Sequence, residues 1–262
     1  MRGLPRPSAA DEEYLRRSLA AGGQGYVAEM EDAARAWLAL MAAEVAPGPL
    51  IAVVESALAL DLLAQDIGTL SGREHVLRLP ALNVETSRLV SGQPSPDISG
   101  ERLQALQHCL TWKGQGILVT CVQALLEKVP APSRMQRLAQ RVAVGQEYDL
   151  DNLCEQLVAA GYEFDVEVLA KGQASRRGGL LDVWPLTEDG PARLEFFGDT
   201  LESIRRFDPA TQRSLEKLAE LNIPPATETA EDVEQTDPVS YFPGNSSFLW
   251  FSPDGLLHHF AM

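Results

Sequence analysis

Apolar residues in the first part of the chain recur at helical spacing. Leu15 and Leu19 form one set, and Val27, Met30, Ala34, Trp37, Leu38 and Met41 form a second, with Gly22-Gly23-Gln24-Gly25 between them. Spacings of three and four place each set on one face of a helix, so Asp11 to Ala43 is predicted as two helices. Pro47-Gly48-Pro49 stops the second. Leu50–Val54 and Ile117–Cys121 are short, continuous apolar runs rich in β-branched residues. This is the pattern of strands buried on both faces. Between these runs, Glu55–Ile67, with apolar Leu58, Leu62 and Leu63, and Ser99–Leu110 read as helices, while His75–Leu79 reads as a further strand. Strands alternating with helices predict an α/β fold, a parallel sheet covered on both faces.

The pattern changes near Pro130. A basic, helix-like stretch to Arg141 leads into Val142–Gln146, and Asp149–Ala160 then reads as a helix. Asp149 or Asp151 is suited to cap its start, and Gly161 its end. Beyond it the period shortens to two. Phe164–Leu169, Gly179–Trp184, Ala192–Phe197 and Leu201–Phe207 are predicted as strands, joined by Arg177-Gly178-Gly179, Glu188-Asp189-Gly190-Pro191 and Gly198-Asp199. The expectation is a second, α+β domain with a small antiparallel sheet, ended by Pro224-Pro225. Glu228–Asp237 is an acidic, polar linker, and Phe242–Phe251 is apolar enough for one more strand.

Composition narrows the function classes. A chain of 262 residues that is 45% hydrophobic has material for one large or two modest domains. The longest apolar stretch, Pro49–Leu63, is interrupted by Glu55 and Asp61, and the N-terminus has no apolar run. Neither a membrane span nor a secretory signal is expected. Cys109, Cys121 and Cys154 are odd in number and widely spaced, which suits a reducing, cytoplasmic setting and predicts neither disulfides nor a zinc site. A net charge of −15 repels phosphate backbones and argues against a nucleic-acid-binding module. Lysine is confined to Lys113, Lys128, Lys171 and Lys217, whereas arginine is frequent. Arginine is the better residue for fixed, forked hydrogen bonds at a protein interface.

The first strand–helix unit fails as a phosphate cradle. Such a loop needs Gly-x-x-x-x-Gly-Lys-Ser/Thr, so that backbone N–H groups surround the phosphates and the lysine reaches them. Here Leu50–Val54 runs into Glu55-Ser56-Ala57-Leu58, and no lysine in the chain follows a glycine. Other candidate chemistry is thin. His258-His259 are adjacent, and neighbours on a strand point to opposite faces, so they read as exposed tail residues. His75 and His108 lie alone in apolar segments and read as core or boundary residues. Glu85, Asp97 and Glu101 read as solvated carboxylates, and no Gly-x-Ser-x-Gly elbow exists. No catalytic residue, cofactor or metal ligand is predicted.

The densest signal lies in the strand region. Alternation puts Leu181 and Val183 on one face and Leu180 and Asp182 on the other. In the next strand Leu194 and Phe196 read as core, whereas Arg193, Glu195 and Phe197 share the outer face. An exposed arginine beside a large aromatic is a common pairing at interface hot spots. An ordinary two-faced strand with a cross-strand Arg–Glu pair accounts for the same spacing.

These residues also carry a resemblance. Arg177-Gly178-Gly179-Leu180-Leu181-Asp182-Val183-Trp184-Pro185, Arg193-Leu194-Glu195-Phe196-Phe197-Gly198-Asp199, and Ile204-Arg205-Arg206-Phe207-Asp208-Pro209 with Gln212-Arg213-Ser214 resemble the N-terminal UvrB-like region of the bacterial transcription-repair coupling factors (Mfd). Pro94-Ser95-Pro96, Arg102-Leu103 and Ile117–Thr120 are similar to that family's first domain. The resemblance runs from about Pro49 to the C-terminus. It implies a degenerate P-loop, RecA-like domain (1–142 and 226–262) without ATP hydrolysis, carrying an inserted UvrA-binding domain (143–225). It further implies a non-catalytic module that recruits UvrA in transcription-coupled nucleotide excision repair. Arg177 and Arg193 are the implied charge-assisted donors to acidic groups of the partner, Phe197 the apolar anchor, and Glu195 a neighbour. RNA polymerase and DNA would be bound by domains that this sequence does not contain. The Gly-Glu-Phe-x-x-Arg-Gly usual in the family is here Gly172-Gln173-Ala174-Ser175-Arg176-Arg177-Gly178. The alternatives are an autoinhibitory or structural surface facing the rest of a parent protein, and a weak nucleic-acid-binding module.

Overall fold

The computed structural model describes residues 8–19, 32–72, 76–82, 95–227 and 235–251. In chain order the elements begin with α1 (Ala9–Leu19), α2 (Asp32–Val45), β1 (Leu50–Val54), α3 (Ala57–Ser71), β2 (Leu77–Leu79), α4 (Pro96–Thr111), β3 (Ile117–Cys121) and α5 (Val122–Leu126). They continue with β4 (Val129–Pro130), α6 (Pro132–Leu138), β5 (Gln140–Ala143), α7 (Leu150–Ala159), β6 (Glu163–Phe164), β7 (Gln173–Arg177), β8 (Leu180–Val183) and β9 (Ala192–Phe197). The last are β10 (Thr200–Phe207), β11 (Ser214–Leu218), β12 (Glu220–Ile223), β13 (Gln235–Thr236), a 3-10 turn at Pro238–Tyr241, and β14 (Ser247–Trp250). The chain divides into two compact units, one of Met1–Thr86, Ala105–Lys128 and Asp237–Met262, the other of Ser87–Gln104 and Val129–Thr236. Among the described residues no helix is long and apolar enough to cross a membrane.

The first unit holds a four-stranded parallel sheet in the order β14-β1-β3-β2. Leu50 aligns with Ile117 on one side and with Ser247 on the other. Every residue of β1 and β3 is buried, so both sheet faces are covered, as their unbroken apolar sequence predicts. Leu50, Ala52, Val54, Val119 and Cys121 pack on one face against α2 and α3, through Ala39, Leu60, Leu63 and Ile67. Local signals set the helix bounds. The Ser56 side chain accepts from the Ala59 N–H at the start of α3, and Gly72 closes the helix in the left-handed conformation at φ 68°. Only the last part of the apolar run 242–251 is strand, because the chain turns at 243–246, where the Ser246 N–H donates to the Pro243 carbonyl.

The second unit holds a six-stranded sheet in the order β11-β10-β9-β8-β7-β6, antiparallel except where β6 runs parallel to β7. The alternation of Ala192–Phe197 predicted β9 to the residue. The strand predicted over Phe164–Leu169 is reduced to the two residues of β6. The residues after it form a loop held by side chains: the Asp165 carboxylate accepts from the Val166 N–H, and Gln173 Oε1 accepts from the N–H groups of Leu169 and Ala170. Strands β7 and β11 were not legible in alternation, because their sequences, such as Gln173-Ala174-Ser175-Arg176-Arg177, are mostly polar, and β12, though it alternates, was too short to be read before its pairing with β5. The turns at Gly178-Gly179 and Gly198-Asp199 open with glycines at φ 60° and 59°, the requirement of a tight two-residue hairpin with glycine first.

One face of this sheet is closed by α7, which starts at Asp149, whose carboxylate accepts from the N–H groups of Asp151 and Asn152. Leu150, Leu153 and Leu157 on α7 meet Ala174, Leu181, Val183, Leu194, Leu201 and Ile204. The other face is where the candidate residues lie.

Burial decides which cysteine reacts. Cys109 is 3% exposed, and burial pushes its thiol up to about 12. Its thiolate is therefore scarce until the pH nears that value. Cys154 is only half-buried; burial raises its thiol while the nearby Arg176 pulls it back. At pH 8 a thiol reagent is expected to label Cys154 first and Cys109 only on unfolding, a sequence that mass spectrometry of the modified peptides checks.

Candidate functional site

The turn after β1 leaves no phosphate cradle. The α3 N-terminus is capped by Ser56, and the Glu55 carboxylate accepts from Arg35 Nη1 at 3.3 Å. A phosphate brought to this turn would meet a carboxylate and a helix start whose Ala59 N–H is already taken by Ser56.

The scattered titratable candidates do not converge. His108 is exposed on α4, its ring 4.9 Å from Trp112 in an edge-on contact. That corrects the expectation of a core or boundary residue, and the reason is its helical phase: Leu106 and Cys109 take the buried positions. Asp97 pairs with Lys171 at 3.0 Å. His75, Glu85 and His258-His259 lie outside the described residues. Among the described residues no group of three or more His, Cys, Asp or Glu is placed to hold a metal ion.

Strand register assembles the remaining candidates. Arg177 pairs with Leu180, and Leu180 with Glu195, so these three form one transverse row. Ser175, Asp182, Arg193 and Arg205 form the next row in the same way. The bulge between Leu201 and Ser203 resets β10 so that Ser203 comes opposite Glu195. All of these lie on the face opposite α7. Phe197 sits on the same face at the end of β9, diagonal to Leu180 and beside the Gly198-Asp199 turn. Alternation therefore placed Arg193, Glu195 and Phe197 on one face correctly.

Sharing a face is not the same as being available. Arg193 is closely held. Its Nε and Nη2 donate to the two carboxylate oxygens of Asp182, each at 2.7 Å, and Nη2 also donates to Gln212 Oε1 at 2.9 Å. Its guanidinium lies 4.6 Å from the centre of the Phe207 ring. Asp182 is 5% exposed, so this is a nearly buried fork-to-fork pair. The bond to Asp182 is the main reason the guanidinium holds its proton more tightly than usual. Arg193, the implied charge-assisted donor to a partner, gives its fork to the cross-strand neighbour Asp182, leaving Nη1. Truncating Arg193 would strand a buried carboxylate, so its loss cannot be a clean probe of binding.

Glu195 is also used internally. It accepts from Ser203 Oγ and from Arg205 Nη2, the latter at 2.9 Å. Its partner across the strands is Arg205, not Arg193. Arg177 is different. Half of its side chain is exposed; it gives one bond, from Nη2 to the Val166 carbonyl at 3.1 Å, and has a long contact of 3.9 Å to Glu167. Phe197 is 75% exposed. Beside them stand Leu180 and Val166, both exposed apolar side chains. The face therefore offers an arginine with donors to spare, set between apolar groups, over an internally neutralised charge network.

Four participants were missed in the sequence. Leu180 was placed on the outer face but not given a role. Val166 was assigned to a strand that stops before it. Asp182 and Gln212 matter through what they hold, and only the register of β8 against β9 reveals the first. The signal for the second was its place in the Phe207-Asp208-Pro209-x-x-Gln212-Arg213-Ser214 motif.

Comparison with known proteins places this face in a family context. Residues 141–228 match the model of the UvrB interaction domain. The chain is 44% identical over 192 residues to a transcription-repair-coupling factor of Myxococcus xanthus, covering 69% of this chain and 15% of that one. It is 33% identical over 166 residues to that of Bacillus subtilis, covering 63% and 14%. It is 32% identical over 212 residues to that of Escherichia coli, covering 81% and 18%. The chain thus spans less than a fifth of the length of these relatives, the shares being 15%, 14% and 18%.

Proposed function

We propose, from the premise that this chain is related to the N-terminal region of the transcription-repair-coupling factors and carries their UvrB interaction domain, that its second unit recruits UvrA in transcription-coupled repair. The observation that carries the reading is the outer face of the six-stranded sheet, which exposes Leu180, Val166 and Phe197 together with a half-exposed Arg177. An arginine with unspent N–H groups on a face that also exposes large apolar side chains matches the composition of interface hot spots. Surrounding apolar contacts exclude water once a partner docks, and a charge-assisted bond then gains strength. The whole charge of −15 disfavours a nucleic-acid partner for the isolated chain. In this reading the module is non-catalytic and acts in the cytoplasm. Its first unit keeps an α/β sheet whose nucleotide-facing turn carries Glu55 in place of a phosphate loop.

The test is a calorimetric titration of the chain against a cognate UvrA. Phe197→Ala is expected to weaken binding by about 2 kcal/mol or more, roughly thirtyfold, and Arg177→Ala by about tenfold. Both side chains are largely solvated in the free chain, so melting temperatures should move little. Wild-type affinity in the Phe197→Ala chain would remove the docking face from consideration.

A further inference from the structure

Resting on that docking reading, we infer that Asp182, Phe207 and Gln212 form a cradle that pre-orders Arg193 for the partner, so that the Phe-Asp-Pro-x-x-Gln-Arg-Ser motif is a positioning device for the interface.

The geometry begins in the turn after β10. The Asp208 carboxylate accepts from the N–H groups of Ala210 and Thr211, at 2.9 and 2.7 Å. The Gln212 N–H donates to the Asp208 carbonyl, and the Asp208 N–H to the Arg213 carbonyl. This closes a compact loop and drives Gln212 to φ 59°. Among the described residues it is the single non-glycine with positive φ. Glycine adopts that conformation without penalty, whereas a long side chain does so at a cost, and such outliers point to a use elsewhere.

The use is visible in the Gln212 side chain. Its Nε2 donates back to the Pro209 carbonyl at 2.9 Å, which leaves Oε1 facing Arg193 as acceptor. Phe207, at the head of the same motif, is 1% exposed and lies under the guanidinium. Asp182 takes the guanidinium edge at Nε and Nη2. Of the five N–H groups of an arginine, three are accounted for, and Nη1 makes no hydrogen bond to a described residue. The Arg193 side chain keeps 22% of its surface exposed.

A guanidinium held on two edges and one flat side cannot take a carboxylate through a new fork. It offers a single, stiff pair of donors at Nη1. The partner group it fits is one carboxylate oxygen, approached end-on. Holding a long side chain in its bound rotamer beforehand removes an entropy cost from association. Gln212 thus contributes to affinity without touching the partner.

The experiment compares Gln212→Ala, Gln212→Gly and Gln212→Glu in the full chain, titrated against a cognate UvrA with Phe197→Ala alongside. Removing the acceptor is expected to weaken binding about threefold to tenfold in Gln212→Ala, the cost of ordering one long side chain on association. Gln212→Glu keeps an acceptor oxygen and should bind within about twofold of wild type, since a carboxylate holds a guanidinium at least as well. Gln212→Gly relieves the backbone. It should melt at or above the wild-type temperature and still bind as weakly as Gln212→Ala. A purely structural role for Gln212 would make affinity follow melting temperature, and the glycine variant would then bind normally. If Gln212→Ala and Gln212→Gly bind as wild type while Phe197→Ala is weak, the cradle is overturned and the docking face stands. If Phe197→Ala also binds as wild type, the docking reading itself falls, and the cradle with it.

Discussion

Leu194→Ala is expected to lower the stability of the second unit by about 2–5 kcal/mol, the range for a large-to-small change in a core that cannot collapse around the gap. Leu194 is 0% exposed. It sits mid-strand in β9, which is paired on both sides, with β8 and with β10. Its side chain belongs to the cluster in which the leucines of α7 meet the sheet. A central strand held by two ladders cannot shift to fill a void, so the value should fall in the upper half of the range. Trp184 lies in the second unit, whereas Trp37, Trp112 and Trp250 lie in the first. A chain keeping only Trp184 would report the second unit alone in urea unfolding. A drop below about 1 kcal/mol would mean that the core around β9 relaxes as a surface site does.

The second large effect concerns the ion pair on the opposite face. Asp182→Ala leaves the Arg193 guanidinium without its carboxylate, above a buried ring and beside a single amide oxygen. Breaking a fully buried pair costs about 3–5 kcal/mol, and with Arg193 still 22% exposed the expected loss is about 2–3 kcal/mol. The outcome separates two accounts of the pair. If the charges are held mainly by each other, Asp182→Ala/Arg193→Ala should recover a good part of the loss, giving a coupling above about 1 kcal/mol in the double-mutant cycle. Additive losses would show instead that Arg193 is retained by its stacking on Phe207, with Asp182 contributing independently. The same result explains why the binding tests use Gln212, Arg177 and Phe197: each can be altered without leaving a buried charge alone.

Much of the architecture was legible because burial imposes period on sequence. Leu50–Val54 and Ile117–Cys121 were recognisable as two-faced buried strands since neither sheet face reaches water. Ala192–Phe197 was recognisable since one face does. Polar strands such as β7 and β11 were not. Their pairing is fixed by neighbours rather than by their own composition, and β11 is almost wholly exposed. Strand length was misjudged at Phe164, where Asp165 and Gln173 side chains satisfy the backbone in place of a ladder.

The candidate site divides along the same line. Its membership by face followed from the chain alone: alternation at Arg193, Glu195 and Phe197 needs only the two-residue period of a strand, and the motif around Arg177 carried the family likeness. The state of each side chain did not follow. Whether an arginine offers its fork or spends it depends on which carboxylate stands across from it. That is a matter of inter-strand register, set here by the hairpin that brings Asp182 opposite Arg193, and the pattern along one strand does not encode which residue of the next strand it faces. Sequence by itself determined the two kinds of sheet, the family likeness and the face. Only the tertiary structure decided that Arg177 and Phe197 are open to solvent while Arg193 is held by Asp182, Phe207 and Gln212, because hydrogen-bond partners eleven and nineteen residues apart meet only when the sheet closes.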